Sequence, residues 1–382
     1  MRLAIIFTML ASCPFVFGQS WLQRADLGST GRHRATGFSI GNKGYAGLGH
    51  VNGTGQNIVY KDWWQYDPSS NSWTQKADYV SPSYGTIAFG TSTKGYIGGG
   101  TAFNNEFFEY NPTTNTWQGV TNCPIQNITD QTAFAVNDKG YVVYNNQCVE
   151  FDPIANSWTM KANLPGNLNI WGTSFVIGSS AFVKNGTALY EFKPVQNQWL
   201  IRSQFPGVAT AGCSSFVVDE KGFVVTGYAG GLSNVTKEVW QYNPATNNWL
   251  QMEDFPGSAR RFSIGFSVNN RGYFGLGTNG INFNDFWAYD NFLGQQELEK
   301  TSAFTVFPNP FVDEIHVKIG DEILQQPNTF QVFTADGKER YSTSFFTNEQ
   351  PLQLDFLQAG TYFCVLKVGN KIVQTQTIIK QP

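Results

Sequence analysis

The stretch WWQYDPSSNSWTQKAD, residues 63–78, sets Trp63, Trp64, Trp73 and Tyr66 around an Asp-Pro turn. Two readings fit it: an exposed aromatic platform beside an acid, suited to stacking sugars, or a core strand with its turn. Recurrence decides between them. FFEYNPTTNTW ends at Trp117, VEFDPIANSW at Trp158, YEFKPVQNQW at Trp199 and VWQYNPATNNW at Trp249. The aromatic residue ahead of each turn stands at Tyr66, Tyr110, Phe151, Phe192 and Tyr242, and FWAYD adds Tyr289, at intervals of 41 to 50 residues. Periods of about 40–50 residues mark propeller blades or solenoid units. A binding site needs one such constellation and not a copy in every unit, so the aromatics read as scaffold.

Each unit also carries an upstream strand pair. TGFSIGNKGYAGLG, GTIAFGTSTKGYIGGG, TAFAVNDKGYVVYN, SSFVVDEKGFVVTG and SIGFSVNNRGYFGLG share an apolar strand, a polar turn and a Gly-rich strand. Asn, Asp or Lys before Gly supplies the positive φ that a tight hairpin demands. The unit is four short antiparallel strands, a to d, with no helical period between them. In the opening stretch WWQYD is strand c and SWTQK is strand d; Pro68 presets φ, and Asp67 and Asn71 bond the backbone of the turn. The fourth unit departs from the pattern, because SSAFVKNG lacks the paired glycines and Lys193 replaces the usual acid or amide.

No tryptophan follows Tyr289. QSWLQRADLG around Trp21 instead copies NSWTQKADYV around Trp73. The sixth unit is therefore expected to take its strand d from residues 19–26, closing a ring of six with no free sheet edge.

These units resemble kelch repeats, as in the galactose oxidase-like propellers, over roughly Gln19 to Phe292. The resemblance implies an all-β, six-bladed kelch-type β-propeller over residues 19–292. After a linker at 293–302 the repeat ends, and short alternating strands in 303–382 predict a small immunoglobulin-like β-sandwich. FPNPF (Phe307, Pro308, Asn309, Pro310, Phe311), VFTADGK with Asp336, Gly337 and Lys338, LQAGTYFCVL with Gly360 and Tyr362, and terminal IIKQP with Lys380 resemble a type IX secretion C-terminal sorting domain of type A. That resemblance implies the type IX machinery as partner and passage across the outer membrane of a Gram-negative cell. It also implies cleavage, with release or attachment to surface polysaccharide.

Composition agrees with export of a folded protein. Charged residues are 14% and aromatics 15% of the 382 residues, with 39 glycines and a net charge of −3. That balance argues against disorder, nucleic acid and anionic membranes as partners. Residues 1–18 read as a signal peptide, with Arg2 ahead of an apolar run and cleavage near Gly18–Gln19. LASC ending at Cys13 is the competing lipobox reading. No other apolar stretch nears the ~20 residues of a spanning helix. Cys123, Cys148, Cys213 and Cys364 show no C-x-x-C spacing; buried free thiols are expected, with a Cys123–Cys148 bridge as the alternative.

In such a fold the d-to-a and b-to-c connections share one face, where function is sought. They bring Arg32, His33 and Arg34, then Tyr84, Trp171, Arg260 and Arg261, and two long loops at 49–62 and 226–238. Arginine forks and aromatic faces suit a sugar. The acids Asp62, Glu106, Glu238 and Asp285 each open a strand c, and this recurrence favours their pairing with those arginines as repeated structural contacts. No nucleophile elbow, phosphate loop or zinc signature occurs. With only His33, His50 and His316, copper chemistry is not indicated, and no metal or other cofactor is expected. The reading is a binding or adhesion module for a glycan or protein ligand. The alternative comes from the resemblance, since kelch propellers include N-acetylneuraminate epimerases, in which an acid and an arginine exchange a proton at the anomeric centre. Glu238 or Glu106 with Arg260 or Arg261 are its candidates.

Overall fold

The computed structural model describes residues 21–53, 55–168, 171–290, 304–324, 327–334, 337–369 and 371–381. The leader with Cys13 and the Gly18–Gln19 junction, the 293–302 linker and Asp336 lie outside the described residues. The chain divides into two compact units, 1–293 and 294–382.

Six four-stranded antiparallel sheets and one two-stranded hairpin make up the strands of the described part of the first unit. The first sheet runs Thr36–Ile40, Lys43–Gly47, Trp63–Asp67 and Ser72–Lys76. The later sheets begin at Ile87–Gly90, Thr132–Val136, Thr173–Ile177, Ser214–Val218 and Ile264–Val268. Trp21–Arg24 completes the last of them, pairing antiparallel with Phe286–Tyr289 in the register Trp21↔Tyr289. First strands of successive sheets touch in order, and the last touches the first. The result is a closed, β-propeller-like ring.

The Gly-rich strands have a packing reason. A phenylalanine on the first strand of one sheet lies against a glycine on the second strand of the next. A Cβ at Gly140 would stand 2.0 Å from Phe89, and one at Gly44 2.3 Å from Phe266, the contact that joins the last sheet to the first. In the fourth sheet Ala181 takes the glycine's place, buried in the same cluster as Phe134, and the four strands keep their order.

The Asn-x-Trp at each c–d turn does more than close the turn. Asn115, at φ +54°, accepts from the Ala77 N–H and the Tyr110 hydroxyl, both at 2.9 Å, while the Trp117 indole donates to the Ala77 carbonyl at 3.0 Å. Both backbone groups of one residue leaving the preceding sheet are thus held by the next. Asn71 and Trp73 hold Ala25 in the same way, and Asn247 and Trp249 hold Ser203. Asn71 therefore reaches across to the neighbouring sheet as well as serving its own turn. The 49–62 connection, expected as a loop, folds into a hairpin of its own, His50–Gly53 with Gln56–Val59.

In the second unit a three-stranded sheet (Phe304–Phe307, Glu314–Ile319, Glu349–Gln353) and a four-stranded sheet (Glu339–Thr343, Asn328–Thr334, Gly360–Val368, Lys371–Lys380) enclose one core that includes Phe304, Phe330 and Leu366. One helical turn, Asp321–Leu324, interrupts the strands. FPNPF and the Gly360 end of LQAGTYFCVL meet terminal IIKQP at the end of the last strand. Asn309 donates to the Thr377 carbonyl and accepts from the Ile379 N–H, each at 2.9 Å, so its amide stands in for a strand partner. Phe307, Pro308 and Pro310 are exposed around it, whereas Phe311 is buried. Lys380 is buried over the Phe311 ring with Asp313 3.6 Å away. Gly337 supplies positive φ (+82°) at its turn, where the Lys338 N–H bonds Thr334 Oγ1; Gly360 pairs with Lys380, and the Tyr362 hydroxyl donates to the Gln358 carbonyl. Cys123, Cys148, Cys213 and Cys364 are free thiols.

Candidate functional site

Two residues ahead of each first strand stands a residue with left-handed φ: Arg34 (+50°), Gly85 (+65°), Asp130 (+53°), Trp171 (+65°), Gly212 (+64°) and Phe262 (+58°). Each donates its N–H to the carbonyl of its counterpart in the preceding sheet. The bonds run Gly85 to Arg34, Asp130 to Gly85, Trp171 to Asp130, Gly212 to Trp171, Phe262 to Gly212 and Arg34 to Phe262, at 2.7–3.2 Å. Six amides from six sheets form a closed ring. Four of them belong to non-glycine residues in a conformation that costs of order 1–3 kcal/mol, strain that concentrates at functional sites.

The side chains of this ring line a cup of about 140 Å³, together with Gln131, Cys213 and others. One wall is ionic. Arg34 Nε donates to Asp130 Oδ1 at 2.8 Å and Arg34 Nη2 to Asp130 Oδ2, with the guanidinium 4.5 Å above the Tyr84 ring. The opposite wall is aromatic, with Trp171 and Phe262 at 5.0 Å between centroids. Trp171 Nε1 and Gln131 Oε1, a donor and an acceptor, are buried with no partner among the described residues. Freeing Arg34 would strand Asp130, only 9% exposed, and breaking such a pair costs about 3–5 kcal/mol when buried.

The other candidates stand elsewhere. Arg32 and Arg260 are fully buried. Arg32 forms a forked pair with Asp62 and Arg260 one with Asp285; Arg32 also donates to the Leu48 carbonyl and Arg260 to that of Leu276. Burial pushes the Asp62 carboxyl up, but the Arg32 bonds and charge outweigh it and the net shift is downward. Arg261 turns to the Leu232 carbonyl in the 226–238 loop. Glu238 accepts from the Val208 N–H and the Trp240 indole, the arrangement that Asp62 makes with Trp64 and Asp285 with Trp287. Glu106 accepts from the Asn104 and Asn105 N–H groups, and neighbouring backbone N–H groups hold its carboxyl below the usual range. Of the sequence candidates, the ring brings together Arg34 and Trp171, with Tyr84 behind them. Asp130, Gln131 and Phe262 were not singled out by the sequence. Their signal is a column at a fixed offset before strand a, in which Gly85 and Gly212 mark a need for positive φ.

Beside the cup lies a histidine pair. His33 Nε2 and His50 Nε2 are 2.7 Å apart, His33 Nδ1 meets Asn282 Oδ1 at 2.7 Å, and His50 stacks on Tyr84 at 3.8 Å. His33 Nδ1–H donates to the Asn282 oxygen, so His33 Nε2 accepts from His50 and the His33 ring must be neutral. Burial, then the charges of His33 and Arg34, push His50 down to about 4. Burial also lowers His33, with Arg34 and Arg261 adding to it and the Asn282 bond opposing it. Depressed imidazoles stabilise the fold fully above their ordinary value of about 6.5, and that stability is lost as pH falls towards 4. Wild type should lose on the order of 1–2 kcal/mol more than His50→Gln across this window, after allowing for partial hydration. Urea midpoints measured on both proteins at several pH values check this; parallel curves would mean that the pair carries no linked proton.

Residues 305–381 match the secretion system C-terminal sorting domain family. This match indicates export by the type IX system. Among solved structures the chain is similar to that of YjhT, with a TM-score of 0.56 and 16% identity over 67% of this chain and 94% of that chain. At that identity the likeness concerns the fold alone. No curated protein matches the sequence. No helix among the described residues is long and apolar enough to cross a membrane.

Proposed function

We propose that residues 19–292 form a six-bladed kelch-type β-propeller serving as a secreted or cell-surface binding module for a glycan, delivered by an immunoglobulin-like C-terminal sorting domain. The observation that carries this reading is the cup, a concave site on a rigid ring with an aromatic wall facing a fixed polar fork. Such walls bind sugars by stacking on their C–H faces while forks hold hydroxyls. The mature chain should therefore bind a subset of a glycan array, and Trp171→Ala should weaken that binding by about 1–3 kcal/mol, the worth of a buried aromatic contact. Unchanged binding by the variant would move the site away from the ring.

A second reading is an anomer-exchanging enzyme. One observation favours it: the cup itself holds an acid beside an arginine, Asp130 with Arg34. Glu238, Glu106 and Arg260 are each occupied in contacts within the scaffold. An exchange enzyme would lose turnover with Asp130→Asn while keeping ligand affinity.

A further inference from the structure

We infer that the cup takes a neutral, hydroxyl-rich sugar ring at the end of a glycan and discriminates against sugars bearing a carboxylate or sulfate. The inference rests on the glycan-binding reading and names its ligand class. Among the described residues the charged side chains lining the cup are Arg34 and Asp130, one of each sign. They are bonded to each other through two parallel contacts. An anion would have to compete for Arg34 with a carboxylate already fixed beside it, and success would leave that carboxylate unpaired.

Other positive charges do not fill the gap. Lys184, buried behind the cup-lining Cys213, is bonded to the Ala209 carbonyl. Arg32 and Arg260 are fully buried and forked onto their own aspartates. Arg261 does not line the cup and is turned to the Leu232 carbonyl. The six ring amides, which could otherwise serve as anion donors at a loop mouth, donate to one another's carbonyls.

What the cup does offer matches a hydroxyl. Trp171 Nε1 needs an acceptor and Gln131 Oε1 needs a donor. A hydroxyl does both, whereas a carboxylate only accepts and satisfies the indole alone. Both atoms are buried in the free protein, so the ligand engages them as these side chains turn toward it. The cup is small, about 140 Å³. That suits one ring entering end-on and not a chain passing through.

The test uses the mature chain and matched oligosaccharides that end either in galactose, glucose or N-acetylglucosamine, or in glucuronate, N-acetylneuraminate or a sulfated hexose. The expected result is at least tenfold tighter binding of one or more neutral-ended probes over their acidic counterparts. Asp130→Asn, a residue that also tolerates left-handed φ, should free Arg34 and narrow that ratio about tenfold. Equal or tighter binding of acidic ends by wild type overturns the inference and leaves the glycan reading standing. Binding of none of the probes overturns the glycan reading itself. The wild-type comparison decides the inference even if the variant does not fold.

Discussion

Trp21→Ala is expected to lower the stability of the first unit by about 3–5 kcal/mol, the cost of deleting a large buried aromatic. Trp21 is 2% exposed and packs edge-on against Phe216, Phe255, Phe274 and Tyr289 at 5.0–6.0 Å. Its strand is also the fourth member of the last sheet, so the loss reaches the contact between the ends of the ring. All 11 tryptophans lie between residues 21 and 287. Fluorescence in a urea titration therefore reports on this unit alone. A midpoint equal to wild type would show that the ring does not depend on the packing of Trp21.

Arg260→Ala is expected to cost a similar amount, about 3–5 kcal/mol, because it removes one partner of a buried pair and leaves the other. The guanidinium lies 4.0 Å from the Phe283 ring centroid and 5.0 Å from that of Phe255, and also donates to the Ser258 and Leu276 carbonyls. Arg260→Ala with Asp285→Asn should be less destabilised than the sum of the two single changes, since the stranded charge is gone. The measurement also separates scaffold from site. Unchanged stability with weakened ligand binding would make Arg260 a ligand group, against the placement seen here.

The repeat was legible because its chemistry is local. Tyr66, Pro68, Asn71 and Trp73 stand within eight residues, and the same turn logic returns with every unit. The pairing of residues 21–24 with 286–289 was legible too, because a missing element at one end matched a surplus one at the other. The site was legible only in part. Arg34 and Trp171 were visible as basic and aromatic residues in entry loops, but the partner of Arg34 lies 96 residues along the chain. Nothing local distinguishes Asp130 from the other turn acids. Arg32, Arg34, Arg260 and Arg261 read alike in sequence. Burial alone separates the two forked onto scaffold aspartates from the one that reaches the cup and the one held at the 226–238 loop.

The ring of six amides also bears on how the protein moves. Loop amides on a protein surface ordinarily exchange with solvent fast, through local opening. Here each N–H belongs to one sheet and its acceptor to another, so fraying of a single sheet end does not release it without parting two neighbours. The amide hydrogens of Arg34, Gly85, Asp130, Trp171, Gly212 and Phe262 should then exchange as slowly as core strands do, although all six lie outside strands. The floor of the cup is static on that timescale. Adjustment to a ligand falls to the side chains above it and to the 50–59 hairpin and 226–238 loop beside it, so a bound ligand should slow exchange there and leave the six unchanged.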